Sequence, residues 1–312
     1  MSLNSNSHSR SSSVESGSSA LSRVTTITDD GVDDSKGALG LNLLQCPSET
    51  LVDLIFVHGL GGGSKKTWSK TTSLSHYWPQ EWLPKDPAFK NVRIHSFGYD
   101  SDWAKAKSSC LNIHHFGKSL LGEMSISPYI GHAETPIVLV GHSMGGLVIK
   151  KAYMLAKQDS DCEPLAARFH SILFLATPHR GSDSAKLLSN ILQAAHSSRA
   201  YVTDLKRSSG TIQIINDEFR NYSSGINLSS FYETQKLNMG GGFSTLIVAP
   251  DSATLGYPNE KQMPMNADHR SICKFDTIAD PNYLIIRNAL ASTVNDASKI
   301  GTANYNVDIS RC

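Results

Sequence analysis

The sequence predicts an α/β fold, a mostly parallel sheet with helices on both faces and a helical insert over one end. Two features predict it. Short, fully apolar runs suit strands buried on both sides, and stretches of helical period alternate with them along the chain. With 312 residues, 39% hydrophobic and 18% charged, the chain is long enough to bury such a core.

The elements follow in order. Residues 1–43 are dominated by Ser, Asn, Gly and Asp. They carry too little apolar surface to offset their ordering entropy, so a disordered tail is expected, with the folded domain over 44–295. The run 51–57 (LVDLIFV) is the first buried strand and ends in His58-Gly59. Residues 91–99 (NVRIHSFGY) form a second, after a connection rich in Trp and Pro through Trp78, Trp82 and Pro84. A short helix is expected over 116–124. The strongest strand is 136–140 (PIVLV), with a helix over 147–157 (LVIKKAYMLAK) directly behind it. Another buried strand, 171–176, is stopped by Thr177-Pro178.

Residues 182–221 read as the helical insert, with Leu187, Leu188, Ile191 and Leu192 on one face, and are expected to cover the site as a lid. Short strands are expected over 229–234 and 246–249, a last helix over 281–294, and a loose tail over 296–312.

Composition removes several function classes. A formal net charge of +1 gives no electrostatic reason to expect nucleic acid or an anionic membrane as partner. No run approaches the roughly 18 apolar residues of a membrane span, and no basic-then-apolar secretory leader is evident. The cysteines, Cys46, Cys110, Cys162, Cys273 and Cys312, are odd in number and scattered. They suit a reducing compartment rather than a disulfide frame or a zinc site, so a cytoplasmic protein is expected.

The chemistry-bearing motif is Gly141-His142-Ser143-Met144-Gly145, a G-x-S-x-G with an apolar strand running in and a helix running out, as an α/β-hydrolase requires. Side chains at Gly141 and Gly145 are expected to collide with neighbouring backbone in so tight a turn. The strain lifts the Ser143 hydroxyl above the sheet, and the helix N-terminus adds positive potential for a developing oxyanion.

The loop His58-Gly59-Leu60-Gly61-Gly62-Gly63 follows the first strand and is expected to lie beside the nucleophile, so that the Leu60 and Met144 amides form the oxyanion hole. A phosphate loop fails on spacing. Gly59, Gly61 and Gly63 do not fit G-x-G-x-x-G, and Lys65 and Lys66 are misplaced for G-x-x-x-x-G-K-[ST].

A serine needs a base, and in this chain order the base comes late. His269 is the only histidine after His196. His142 is too near the turn, and His179 sits on the loop after the next strand. Two carboxylates compete to orient His269. Glu233 ends the expected strand 229–234, and Asp251 follows the run 246–249; Asp183 and Asp268 are lesser options. Only about eleven residues separate Glu233 from that run, too few for a helical crossover between parallel strands, which favours Glu233 slightly. Residues 176–182 (ATPHRGS) should border the same cleft, as a substrate contact or as a turn. No H-E-x-x-H or clustered metal-ligand pattern occurs, and no metal or cofactor is predicted.

Taken together, LIFVHGLGGGSKKTWSK, NVRIHSFGYDSDW, PIVLVGHSMGGLVIKKAY, FLATPHRGS, SFYETQ, DSATLGYPNE and NADHRSICKF resemble, in that order, a lipase-like family of intracellular serine hydrolases. That family includes the hydrolase domain at the N-terminus of many fungal NLR-like and repeat proteins. It is more distantly similar to GPI-inositol deacylases and to a mitochondrial phospholipid-remodelling protein. The resemblance covers about 51–290 and implies ester hydrolysis on a lipid-like or small ester substrate, with Ser143 and His269 on the family's matching positions. Glu233 and Asp251 both fall on family positions, so the acid stays open. Fungal members continue into a nucleotide-binding switch, whereas this chain stops at Cys312, as a stand-alone member or a piece of a longer one does. Signalling partners of the NLR type, with gated or negligible turnover, are therefore the alternative reading and rest on analogy.

Overall fold

A computed structural model describes residues 35–101, 113–180, 184–195 and 202–309. The strands are β1 (Gly40–Gln45), β2 (Val52–Val57), β3 (Val92–Gly98), β4 (Ile137–His142), β5 (Phe169–Leu175), β6 (Asn227–Glu233), β7 (Leu237–Gly240), β8 (Phe243–Thr245) and β9 (Glu260–Met265). The helices are α1 (Trp78–Glu81), α2 (Ile113–Ile126), α3 (Met144–Gln158), α4 (Glu163–Ala167), α5 (Ser184–Ala194), α6 (Val202–Tyr222), α7 (Pro250–Ala253) and α8 (Pro281–Ile309).

Seven strands form one sheet in the order β1-β3-β2-β4-β5-β6-β9, while β7 and β8 make a separate hairpin. Within the seven-stranded sheet only β1 runs antiparallel to its neighbour. This is the α/β-hydrolase arrangement, with β4 in the middle of the sheet. The apolar runs are continuous because both faces are covered. On β2, Ile55 and Val57 pack with Leu147 and Ile149 of α3 in one core. Leu54 and Phe56 point the other way, into a second core with Trp68, Trp78 and the α8 residues Ile286 and Leu290.

The insert divides into two. α6 is tied onto α3: Lys150 Nζ donates to Asn216 Oδ1 at 2.7 Å, and Tyr153 OH donates to Tyr222 O at 3.0 Å. The C-terminal end of α5 reaches the site. Asp53, at the start of β2, accepts two bonds from Arg93 (2.7 and 3.0 Å) and one from Arg168 (3.3 Å), a buried ion cluster at the far end of the strands.

Three expectations need correction. The sheet begins at Gly40, inside the stretch expected to be disordered. β1 pairs with β3 from Gly40 opposite Gly98, and the Leu41 amide donates to Glu123. Its half-exposed edge position leaves little apolar pattern to read. Residues 1–34 lie outside the described part. At the other end, α8 continues to Ile309, through the segment expected to be a loose tail, and Val294 and Ala297 are buried.

Residues 246–249 are not a strand. Ile247 and Val248 are buried as a loop packed in the core, and the chain then turns into α7. The last strand is instead β9 (EKQMPM), parallel to β6 with Glu233 opposite Met265. It is an edge strand, which explains both its polarity and its tolerance of Pro264.

Candidate active site

Ser143 stands alone between β4 and α3, at φ 53° and ψ −124°. Such a backbone costs a non-glycine residue on the order of 1–3 kcal/mol and persists only where neighbours enforce it. Here the Ser143 amide donates to Leu175 O at 2.8 Å, and the Gly146 amide donates to Ser143 O at 3.1 Å. The expected collisions are present. A Cβ on Gly145 falls 2.3 Å from Val57 O, and one on Gly141 falls 2.7 Å from the Gly146 nitrogen. α3 can press against the end of β2 only because these side chains are missing.

The loop after β9 carries His269 back over the sheet edge. Thr234 and Gln235 amides donate to Ala267 O at 3.2 and 3.1 Å, which fixes the loop beside the end of β6. His269 Nε2 lies 2.9 Å from Ser143 Oγ, and both residues are buried. On the other side of the ring, Nδ1 is 3.7 Å from Glu233 Oε1. That is longer than a hydrogen bond. Glu233 is fully buried, and its Oε1 accepts the Val248 amide. His269 Nδ1 and Glu233 Oε2 have no hydrogen-bond partner among the described residues, and each needs one in a buried setting.

Of the competing carboxylates, Asp251 is exposed in the first turn of α7. Asp268 accepts the Arg270 and Ser271 amides at 2.9 and 2.8 Å, so it shapes the loop. Asp183 lies outside the described residues.

Two neutral histidines support the site. His142 Nε2 donates to His269 O at 2.9 Å; burial, with help from the nearby His269, pushes its pKa down to about 3. His58 is buried and stacked on Tyr99 at 4.1 Å. Its Nδ1 bonds Gly59 O at 2.8 Å, and the Tyr99 amide donates to its Nε2 at 3.1 Å. Burial holds its pKa down at about 4. The ring therefore acts as a neutral strut under the glycine loop, with the proton on Nδ1.

Within that loop, the Gly61 and Gly62 amides are taken by Ser101 O and Gly59 O. Met144 is the first residue of α3, where an amide has no acceptor inside its own helix. A cavity of about 220 Å³ adjoins these residues. Leu60, Gly61 and His142 line one side and Ala194 and Ala195 the end of α5. Its remaining wall includes Lys66, Arg270 and Lys274, a grouping not evident from sequence, since the three come from two distant loops.

Of the segment expected to border the cleft, residues 176–180 do not line the cavity described above, and 181–182 lie outside the described residues. His179 is buried, and Lys150 Nζ meets its Nδ1 at 2.7 Å. The unusual lysine inside the apolar helix pattern LVIKKAY was its only sequence signal. Among the described residues, no three His, Cys, Asp or Glu side chains gather as metal ligands, and no helix is long and apolar enough to cross a membrane.

Comparison with known proteins gives one family match, the PGAP1-like alpha/beta domain, over residues 50–255. Curated relatives include Protein SERAC1 of Bos taurus, 30% identical over 243 residues, covering 71% of this chain and 36% of that protein. The Homo sapiens Protein SERAC1 matches at the same identity and coverage. The chain thus spans about a third of the length of these relatives.

Among solved structures, it is similar to fungal esterases from Rhizomucor miehei, at 15% identity and a TM-score of 0.49, covering 80% of this chain and 76% of that one. It is also similar to a lipase-esterase related protein from Clostridium acetobutylicum, at 12% identity and a TM-score of 0.46, covering 83% and 98%.

Proposed function

The chain belongs to the PGAP1-like α/β domain family, and from that premise we propose that it is a serine hydrolase of carboxylic esters, with Ser143 as nucleophile, His269 as base and Glu233 as orienting acid. One observation carries the reading: a strained, strand-end serine whose Oγ lies 2.9 Å from the His269 imidazole.

In the first half-reaction, His269 Nε2 takes the hydroxyl proton while Ser143 Oγ adds to the acyl carbon. The tetrahedral oxyanion is held by the Leu60 and Met144 amides. His269 then returns the proton to the departing alkoxide, leaving an acyl-serine and a free alcohol. In the second half-reaction a water is deprotonated by His269, attacks the acyl carbon, and releases the carboxylic acid and the regenerated serine. Glu233, the buried carboxylate facing Nδ1, favours the tautomer that leaves Nε2 free to accept and stabilises the imidazolium.

The substrate proposed is a small or lipid-like ester. The family resemblance and the apolar side of the cavity, Leu60 with Ala194 and Ala195, support it. The proposed compartment is the cytoplasm. Cys46, Cys162 and Cys273 are free thiols, a state that reducing compartments maintain.

Hydrolysis of 4-nitrophenyl butyrate tests the reading. Turnover is expected, with kcat lower by at least about 10⁴-fold in a folded Ser143→Ala variant. No turnover, or equal turnover in the variant, contradicts it. The first result favours a signalling module of the NLR type instead.

A further inference from the structure

Three cationic side chains converge on the cavity beside the nucleophile: Lys66 from the loop after β2, and Arg270 and Lys274 from the loop that carries His269. Among the described residues none of them forms an ion pair with a carboxylate. The nearest acid in the loop, Asp268, is occupied with the Arg270 and Ser271 amides and the Ser271 hydroxyl. The neighbouring Lys70 is neutralised by Asp276 at 3.3 Å, so a paired lysine lies just outside the group. Arg270 is held in place by a bond from its Nε to Ala194 O at 2.7 Å, which anchors it to the end of α5.

Like charges packed together without an acid destabilise a free protein. The effect is visible at Lys274, whose pKa is lowered by burial and by the nearby Lys66, Arg270 and Lys70 cations. An anion in the cavity relieves that repulsion. The location gives the anion a function, since the same cavity is walled by Leu60 and His142, direct neighbours of the proposed oxyanion hole and of Ser143.

We propose that Lys66, Arg270 and Lys274 form an anion subsite that takes a phosphate or carboxylate carried by the ester substrate close to its scissile bond. This deepens the ester-hydrolase reading and rests on it. Lys66 lies outside any phosphate-loop spacing and acts as a point charge at the cavity wall. Arg270 follows His269 directly, so anion binding and base placement share one loop.

The test measures binding by calorimetry to the Ser143→Ala protein, which requires no turnover. The ligands are octyl phosphate, octanoate, octanol and inorganic phosphate. At least one of the two anionic amphiphiles is expected to bind about tenfold or more tighter than octanol, with the gap shrinking as salt rises. Adding Lys66→Met and Lys274→Met together is expected to bring the ligands to within about threefold. Lys66→Met alone, at an exposed position, is expected to narrow the gap partway and guards against a folding failure at the half-buried Lys274.

Equal binding of anionic and neutral amphiphiles overturns the proposal, as does a gap that survives in both lysine variants. Inorganic phosphate binding as tightly as octyl phosphate overturns it in favour of a free anion. Anion preference without hydrolysis of any ester removes only the ester-hydrolase reading, whereas hydrolysis of a neutral ester without anion preference removes only the subsite.

Discussion

The acid is where residue-level chemistry and sequence reasoning part company. Position in the chain favoured Glu233 over Asp251 only slightly, and burial separates them clearly. Glu233 is fully buried behind His269, while Asp251 is exposed on α7. If Glu233 orients the imidazole, Glu233→Gln keeps the packing but favours the wrong tautomer, and kcat is expected to fall on the order of 10³–10⁴-fold. Asp251→Asn is expected to leave kcat within about twofold, because a solvated side chain away from the ring contributes little. Steady-state kinetics on the two variants checks this, and the reverse ranking contradicts the assignment. The approach of His269 to Ser143, 2.9 Å apart, was legible because it follows rules of local geometry and chain order. The burial of Glu233 was not, because it depends on a loop that bends back over the carboxylate.

At the scale of elements, the same division holds. β2, β4, β5 and α3 were readable since burial on two faces writes itself as an uninterrupted apolar run or as a helical period. β1 and β9 were not, since an edge strand with one open side needs no such pattern; GLNLLQ and EKQMPM each pair with one neighbour only. The run 246–249 misled in the opposite sense. It is apolar because Ile247 and Val248 fill the core, and its backbone does not join the sheet: the Val248 amide is spent on Glu233. The insert also splits along lines that periodicity does not show. α6 is bound to α3 through the Lys150–Asn216 and Tyr153–Tyr222 contacts, and of the two helices only α5 meets the cavity. A polar residue in an apolar helix face marks the fixed half of the insert.

For the whole molecule, the buried neutral histidines set a pH limit on stability. His58 and His95 are both buried, and burial lowers each pKa from 6.5 to about 4. Between those values the unfolded chain takes up protons that the folded chain refuses, so stability falls as pH drops from about 6.5 towards 4 and is unaffected by these groups above that window. Each ring contributes up to about 1.4 kcal/mol per pH unit. Urea unfolding between pH 7 and pH 5 is expected to show the decline, and a His95→Gln variant is expected to show a shallower one; a flat profile contradicts the burial of these rings as neutral groups.

The central claim, that this frame exists to present one activated hydroxyl, is tested most directly by covalent capture. The folded protein treated with a fluorophosphonate is expected to gain a single adduct, mapped by mass spectrometry to the peptide containing Ser143 and absent from Ser143→Ala. An intact protein that takes up no label, or one labelled at another residue with Ser143 free, contradicts it.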